Sequence, residues 1–206
     1  MNEQPAPRRE PNCFRGAADE AVASRVAALL AIRPRVIVAV DGNCCSGKTT
    51  AANRLAGLLD ADVFHMDDFF LRPEMRTEAR LRTPGGNVDA ERFLLEVLEP
   101  LSKGGPVTFR RYDCRSGAYS PPVSVRPRAV SIVEGAYCLH PLLAPYYDLK
   151  VFYRVGPAAQ AERIRARNGE AALERFLGLW VPLENAYFSA LNVERSCDIA
   201  VDTTDG

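Results

Sequence analysis

The chain has 206 residues, of which 47% are hydrophobic and 25% are charged. These values are ordinary for a soluble globular protein, and the length suits one domain with a sizeable core. With 26 basic and 26 acidic residues the formal net charge is zero, which excludes a strong electrostatic footprint for nucleic acid or an anionic membrane. No apolar run approaches the roughly 20 residues of a membrane span, and the first residues lack the apolar region of a secretory signal. We therefore expect a cytoplasmic protein with neither a nucleic-acid nor a membrane partner.

The first predicted elements are a tail, a helix and a strand. Residues 1–16 are predicted to form a flexible tail, and residues 17–206 a single domain. Apolar side chains at helical spacing predict an amphipathic helix over residues 19–32. The apolar run of residues 36–40 predicts a fully buried strand.

A phosphate-binding (Walker A) motif follows this strand directly. The segment Gly42-Asn43-Cys44-Cys45-Ser46-Gly47-Lys48-Thr49 fits the pattern G-x-x-x-x-G-K-[ST], and Thr50 continues into a predicted helix. Glycines let the backbone curl so that N–H groups face a phosphate, and the N-terminus of the next helix attracts the same anion. Lys48 is expected to reach the β- and γ-phosphates, and the Thr49 hydroxyl to bind Mg²⁺. Residues 42–50 are therefore predicted to bind a nucleoside triphosphate.

The cysteines and histidines indicate no metal or disulfide framework. Cys44 and Cys45 lie inside the loop, where a disulfide would distort it, and none of the six cysteines forms a C-x-x-C pair. Reduced thiols are therefore expected, and His65 and His140 are too few and too scattered for a zinc site. Because the loop backbone holds the phosphate, the side chains of Cys44 and Cys45 are expected to have no role of their own. A thiol at a helix N-terminus can nevertheless have a lowered pKa, so a side prediction is that alkylation of the two cysteines blocks ATP binding.

The remainder of the chain alternates between strand and helix patterns. A strand over residues 61–66 ends in Asp67 and Asp68, residues 71–87 form a charged connection that we expect to be mobile, and Asp89 is predicted to cap a helix. Further strands are predicted over residues 107–112, 129–133, 149–155 and 197–201, with one helix through Arg163 and Arg167 and another over residues 171–190. This alternation predicts an α/β fold with a five-stranded, mostly parallel sheet and helices on both faces.

Acidic residues follow three of the apolar strands, at the sheet edge where α/β proteins bind ligands. They are Asp41, the Asp67-Asp68 pair and Glu134. Phosphoryl transfer needs positioning, charge neutralisation and a carboxylate that accepts the proton of the acceptor hydroxyl. Asp67 is our candidate for that general base, and Glu134 would orient the metal's hydration shell or contact the acceptor. The alternatives are that Asp67 and Asp68 begin a solvated loop and that Glu134 caps a turn.

Arg163 and Arg167 are four residues apart in a predicted helix and therefore share one face. Both could reach one phosphate from that face. The chain is rich in arginine, so a solvated helix face is an equally good interpretation of the pair.

Several motifs together resemble the uridine kinase and phosphoribulokinase family of P-loop kinases. Besides the loop, they are His65-Met66-Asp67-Asp68-Phe69-Phe70, Asn87-Val88-Asp89, Arg111-Tyr112-Asp113, Val133-Glu134-Gly135 and the helix of Arg163 and Arg167. The resemblance covers residues 36–202. It implies a P-loop NTPase fold with a helical lid, ATP and Mg²⁺ as cofactors, and a small-molecule hydroxyl as acceptor.

The resemblance also implies roles for particular residues. Asp67 would be the catalytic base, with Lys48 and the two lid arginines as the other catalytic residues. Thr49 and Glu134 would serve the metal. The acceptor would contact Asp67, Phe70, Asp89, Tyr112 and Glu134. Closure of the helix that carries Arg163 and Arg167 would exclude water from the transferring phosphate.

Two departures from the family leave the acceptor open. Members that phosphorylate uridine or cytidine carry a base-reading histidine after the Tyr-Asp pair, whereas residues 114–119 contain none. The sequence Arg167-Asn168-Gly169 also replaces a more basic lid segment. The alternatives are a kinase for a non-nucleoside alcohol or sugar, pantothenate-like for example, and an ATPase that drives a partner protein. The guanine-reading motif of a Ras-type GTPase is absent. Relatives by resemblance often assemble, so a homo-oligomer is an open expectation.

Overall fold

The computed structural model describes residues 13–205, with side chains from residue 16 onward. The helices are α1 (Cys13–Leu30), α2 (Lys48–Leu59), α3 (Glu78–Arg82), α4 (Ala90–Phe93), α5 (Glu99–Lys103), α6 (Pro157–Asn168), α7 (Glu170–Arg175) and α8 (Val181–Ala190). The strands are β1 (Val36–Gly42), β2 (Asp62–His65), β3 (Val107–Phe109), β4 (Tyr112–Asp113), β5 (Ala118–Tyr119), β6 (Val123–Val125), β7 (Val130–Glu134), β8 (Leu149–Arg154) and β9 (Ile199–Asp202). Short π-helical segments, Leu94–Leu98 and Phe176–Trp180, join α4 to α5 and α7 to α8.

Five of the strands form one parallel sheet in the order β2-β7-β1-β8-β9. The predicted five-stranded α/β sheet is thereby confirmed. The central position of β1 follows from its composition, because every residue of this apolar strand is buried between neighbours on both sides. All five strands point the same way, so the ends of β1, β2 and β7 meet at one edge of the sheet.

Alternate residues of the central strand pack against different layers. Val36, Val38 and Val40 pack with helices α1 and α2 on one face. Ile37 and Ala39 belong to the larger cluster on the other face, which includes aromatic side chains from β2, α4 and α8. Helices therefore cover both faces of the sheet, as the alternation of patterns predicts. No helix within residues 13–205 is long and apolar enough to cross a bilayer.

The structure differs from the predicted elements in the first helix and in the long connection. Helix α1 begins at Cys13 rather than at residue 19, and residues 1–12 of the predicted tail lie outside the described residues. Residues 71–87, predicted to be a mobile connection, contain helix α3, whose N-cap Thr77 accepts a hydrogen bond from Arg80 N. The Arg80 guanidinium also donates to the carbonyls of Gly86 and Val88, which ties the connection to the start of α4.

The predicted strand over residues 107–112 lies outside the main sheet. Its residues divide between β3, which pairs antiparallel with β6, and β4, which pairs antiparallel with β5. These two small antiparallel pairs precede β7 in the chain. The apolar pattern of residues 107–112 resembles that of the buried strands, which is why sequence alone does not separate them.

Candidate active site

The phosphate-binding loop joins β1 to α2, and glycine is needed at each of its two glycine positions for a different reason. Gly47 has a φ of 87°, a conformation that favours glycine, and it is the N-cap of α2. Gly42 has a φ of 145°, and a Cβ atom at this position would lie 2.0 Å from the carbonyl oxygen of Tyr153 on β8. The first glycine of the motif is therefore required for packing against the neighbouring strand.

Lys48 stands at the start of α2 among four carboxylates. Its Nζ donates to the carbonyl oxygen of Asn43, 3.2 Å away within the loop. Burial by itself would lower the pKa of Lys48, but nearby carboxylates outweigh it and raise the pKa. In decreasing order of influence these carboxylates are Glu184, Asp67, Glu134 and Asp41. Lys48 is therefore held as a cation at the point where a phosphate is expected.

Glu134, at the end of β7, connects Thr49 with His65. The Thr49 hydroxyl donates to Glu134 Oε2 at 2.9 Å, and His65 Nδ1 lies 2.6 Å from Glu134 Oε1. This hydrogen bond to Glu134 is the main cause that raises the pKa of His65. His65 thus orients the carboxylate that reaches Thr49, a role that sequence reasoning missed because it judged the histidines only as zinc ligands.

The oxygen atoms of Thr49 and Glu134 fit a Mg²⁺ ion in chemical type. Mg²⁺ is commonly held by one or two protein oxygens while phosphates and water supply the rest. Within residues 13–205 there is no group of three or more His, Cys, Asp or Glu side chains arranged to hold a metal. The pair thus suits a metal that arrives with phosphates.

Asp67 follows β2 in a short 3₁₀ turn, Met66–Phe69. Its side chain is exposed to solvent at the sheet edge, but the surrounding protein desolvates the carboxyl and raises its pKa. Lys48 is the strongest opposing influence, and Arg167 acts in the same direction. The structure therefore brings Asp67, Lys48 and Glu134 together, although they come from three separate parts of the chain.

The two arginines of α6 lie in different surroundings. Arg163 donates to the Thr203 hydroxyl at 3.1 Å and to the backbone carbonyl of Cys45 at 3.4 Å, and it also bonds the Thr203 carbonyl. Arg167 bonds Asn168 on its own helix and is close enough to Asp67 to influence its pKa. Arg163 thus braces the loop, while Arg167 lies on the side of Asp67.

An open cavity of about 490 Å³ adjoins Asp68 on the acceptor side. Tyr112 lines it and packs against Tyr119 across the β4–β5 pair, with ring centroids 5.4 Å apart and ring planes tilted by 59°. Arg111 also lines the cavity and lies 3.4 Å from Asp68. Phe70, the other predicted acceptor residue nearby, is partly buried and forms a β-bridge with Val88.

Asp89 is the N-cap of α4, where it accepts a hydrogen bond from the backbone N–H of Arg92 at 3.1 Å. Its other oxygen lies 3.7 Å from the Arg92 guanidinium. That guanidinium stacks 4.0 Å over the ring of Phe69 and donates to the Asp68 carbonyl at 2.9 Å. Through Arg92, Asp89 supports the turn that carries Asp67. This support is a structural role beside the predicted one of holding acceptor hydroxyls.

The expectation of a reactive loop thiol is wrong for Cys44. Burial, with Glu184 nearby, raises the pKa of the Cys44 thiol to about 12. Burial also raises the pKa of Cys45. The thiol of Cys44 points away from solvent and accepts a hydrogen bond from Gln160 at 3.1 Å, so the N-terminal end of the helix does not determine its ionisation.

Sequence reasoning missed the contacts that the C-terminal helices make with the loop. Gln160 and Glu184 are both buried and both bond the backbone of Cys44. Tyr187 is fully buried, and its hydroxyl donates to Asp41 at 2.8 Å. A glutamate between apolar helix positions is the only signal that could have pointed to Glu184, and solvated glutamates give the same pattern.

Comparison with solved structures identifies the fold. A protein assigned as a fructose transport system kinase from Silicibacter sp. TM1040 superposes with a TM-score of 0.71 at 25% identity, over 90% of this chain and 98% of its own. The chain has the fold of the P-loop kinases. A possible uridine kinase from Bacillus stearothermophilus superposes with a TM-score of 0.64 at 22% identity, over 88% of this chain and 100% of its own.

A more distant structure extends the range of this fold. D-glycerate 3-kinase from Cryptococcus neoformans var. grubii superposes with a TM-score of 0.58 at 13% identity, over 86% of this chain and 90% of its own. Searches against protein-family models and curated protein sequences find no match. At the level of the fold, the resemblance to uridine kinase-like P-loop kinases is confirmed.

Proposed function

We propose that the protein is an ATP-dependent, Mg²⁺-requiring phosphotransferase that transfers the γ-phosphoryl group to a hydroxyl of a nucleoside or related small molecule. One observation carries the proposal: Asp67 lies within electrostatic reach of Lys48, the lysine of the phosphate-binding loop, at the open edge of the sheet. A cation for the phosphates and a carboxylate for the acceptor proton are the two groups that such a transfer needs from the protein.

In this mechanism the loop binds the phosphates and Asp67 acts on the acceptor. The backbone N–H groups of residues 42–50 and the Lys48 ammonium neutralise phosphate charge and fix the γ-phosphorus in position. Asp67 accepts the proton of the attacking hydroxyl as the new O–P bond forms, while the bond from γ-phosphorus to the bridging oxygen of ADP breaks. Burial raises the pKa of Asp67, and Lys48 and Arg167 oppose that effect and so favour the ionised form that a base needs.

Thr49 and Glu134 would hold Mg²⁺, which when bound would neutralise charge on the β- and γ-phosphates. His65 fixes the Glu134 carboxylate through its 2.6 Å contact. Arg167 would approach the transferring group when α6 closes. Arg163 would hold Cys45 and the end of β9 in place during that motion.

Tyr112 lines the cavity beside Asp68, where the acceptor would bind, and Phe70 and Asp89 would complete the acceptor site. A pyrimidine nucleoside would place its ring against the tyrosine pair Tyr112–Tyr119, because aromatic faces favour stacking. This acceptor agrees with the possible uridine kinase of similar fold.

A sugar or other non-nucleoside alcohol is the second candidate acceptor. The protein with the higher TM-score of 0.71 is assigned as a fructose transport system kinase. Residues 114–119 also lack the histidine expected of a pyrimidine-reading site. An ATPase that drives a partner protein is the remaining alternative, and it would need no small acceptor.

The test is Mg·ATP-dependent ADP formation against a panel of nucleosides, sugars and small alcohols. Stimulation by uridine or cytidine, lost in Asp67→Asn, is the expected result. Stimulation by a sugar alone would replace the nucleoside by the second candidate. Turnover that no compound in the panel raises above the water background would favour the partner-driven ATPase.

A further inference from the structure

Helix α8 contacts the phosphate-binding loop through two residues one turn apart. Glu184 Oε2 accepts a hydrogen bond from the backbone N–H of Cys44 at 2.8 Å, although the two residues are 140 positions apart in the chain. Tyr187 donates to Asp41, directly before the loop, at 2.8 Å. The side chains of Glu184 and Tyr187 are both buried. The loop is therefore attached to an element that follows the proposed lid.

The backbone of Cys44 bonds two side chains: its carbonyl accepts from an amide, and its N–H donates to a carboxylate. Gln160 of α6 donates its amide to the Cys44 carbonyl at 3.0 Å. The Cys44 N–H instead points at the Glu184 carboxylate. Since the N–H groups of such a loop bind the anionic oxygens of phosphates, Glu184 occupies an anion position of the cradle.

Glu184 also lies within electrostatic reach of Lys48, the cation that is expected to bind the phosphates. Among the carboxylates around Lys48 it does most to raise the pKa of the lysine. Burial raises the pKa of Glu184, and Lys48 is the strongest influence that opposes this effect. The carboxylate is 6% exposed, so solvent screens this attraction little. One buried carboxylate thus accepts a hydrogen bond from a loop N–H and lies within electrostatic reach of the loop lysine.

We propose that Glu184 is a positioning residue that takes the place of a terminal phosphate in the nucleotide-free protein. It holds the Cys44 N–H in its binding geometry and balances part of the charge of Lys48, and the phosphates of ATP take over both roles when the nucleotide binds. The inference rests on the proposed function, because it assumes that the loop binds a triphosphate. Its consequence is that Glu184 stabilises the free protein and weakens nucleotide affinity at the same time.

The test compares wild type with Glu184→Gln, which keeps an oxygen for the Cys44 N–H but removes the charge. The dissociation constant of Mg²⁺ β,γ-imido-ATP is measured by calorimetry, and unfolding temperature is measured without nucleotide. We expect Glu184→Gln to bind about tenfold more tightly, because a buried negative charge beside the phosphates is gone. We also expect it to unfold at a lower temperature without nucleotide. If Glu184 had a purely structural role, Glu184→Gln would unfold at a lower temperature and would also bind the analogue more weakly.

Two further variants make the result decisive. Glu174→Gln, an exposed change on α7, is the matched control and should leave the dissociation constant unchanged. Glu184→Met, similar in length and uncharged, should shift binding in the same direction if Glu184→Gln folds poorly. Equal or weaker binding by the Glu184 variants would overturn the inference and leave the proposed function standing. If neither wild type nor the variants bind the analogue, both proposals are wrong.

Discussion

The phosphate side and the acceptor side of the site are built in different ways. The phosphate side consists of consecutive residues 42–50, placed by one strand, one turn and one helix. The acceptor side joins Asp68, Tyr112 and Tyr119 from separate segments, held by a small hairpin outside the main sheet. The phosphate-binding loop can be predicted from the sequence because its geometry depends on residues adjacent in the chain. The acceptor side cannot, because it depends on how distant segments pack.

The two sides also differ in charge. Lys48 is surrounded by four carboxylates, so its charge is more than balanced before a nucleotide binds. On the acceptor side, Asp68 faces Arg111 and, through its carbonyl, Arg92. The carboxylates around Lys48 fit the proposed use of Mg²⁺, which would bring positive charge with the nucleotide.

The largest expected effect is that of Lys48→Met on the phosphate side. Removal of the ammonium leaves the phosphates facing carboxylates without their protein cation, so both nucleotide affinity and turnover should fall, turnover by at least about 10²-fold. Calorimetry with the ATP analogue and a coupled assay for ADP measure the two effects. Lys103→Met, at an exposed lysine of α5, is the control. Retained nucleotide affinity would show that the loop amides alone hold the phosphates.

Asp67→Asn should impair the acceptor side of the site and leave the phosphate side unchanged. Turnover is expected to fall by about 10²–10⁴-fold while nucleotide affinity changes little, because the base acts on the acceptor hydroxyl. Asp60→Asn, at an exposed carboxylate that follows the C-terminal end of α2, is the control and should retain most activity. Equal losses in the two variants would contradict the assignment of Asp67 as the base.

The ionisation of Asp67 should also determine how turnover depends on pH. Desolvation raises the pKa of Asp67 above the ordinary value for aspartate, and only the ionised form accepts a proton. Turnover should therefore decrease as the pH falls through that raised pKa. A pH–rate profile of the wild type measures this acid limb, and a flat profile at low pH would argue against Asp67 as the base.

Tyr112→Phe should affect the acceptor side alone. The ring still packs against Tyr119, but the hydroxyl is gone, so the KM for the acceptor should rise about three- to tenfold, as expected for one lost hydrogen bond. The KM for ATP should not change, and steady-state kinetics measure both. Tyr146→Phe, at a partly buried tyrosine elsewhere, is the control. A change in the KM for ATP would mean that the two sides are coupled through the hairpin.

Asp89→Ala should reduce stability by about 1 kcal/mol, the usual cost of a lost N-cap. It also removes the ion pair that positions Arg92 against Phe69 and Asp68. Urea denaturation measures the stability, and the acceptor KM shows whether Asp89 also binds hydroxyls. A raised KM with Asp89→Asn, which retains a capping oxygen, would support that second role.

Alkylation of the loop thiols should have the smallest effect. With a pKa of about 12, only about 10⁻⁴ of the Cys44 thiol is ionised at pH 8, so it should react far more slowly than exposed Cys114. Mass spectrometry after iodoacetamide treatment identifies the modified residues. Rapid modification of Cys44 in the folded protein would contradict the buried position of its thiol.

The sequence predicted much of the fold, because its signals are periodic. The strands that form the sheet are continuous apolar runs, and their order in the chain with intervening helices implies parallel pairing. Residues 107–112 show the limit of such a signal, since an apolar run can pair in the main sheet or in a separate hairpin. Helix α3 was missed because five residues are too short for a periodic pattern.

What the sequence by itself determined is the phosphate-binding loop and the sheet that presents it, because both follow from residues adjacent in the chain. The meeting of Asp67 and Glu134 with Lys48 could also be predicted, since parallel strands end at a common edge. Only the tertiary structure decided that Glu184 contacts the loop and that Arg163 braces it. Those contacts join residues more than a hundred positions apart, and the packing of α6 and α8 on the loop determines them.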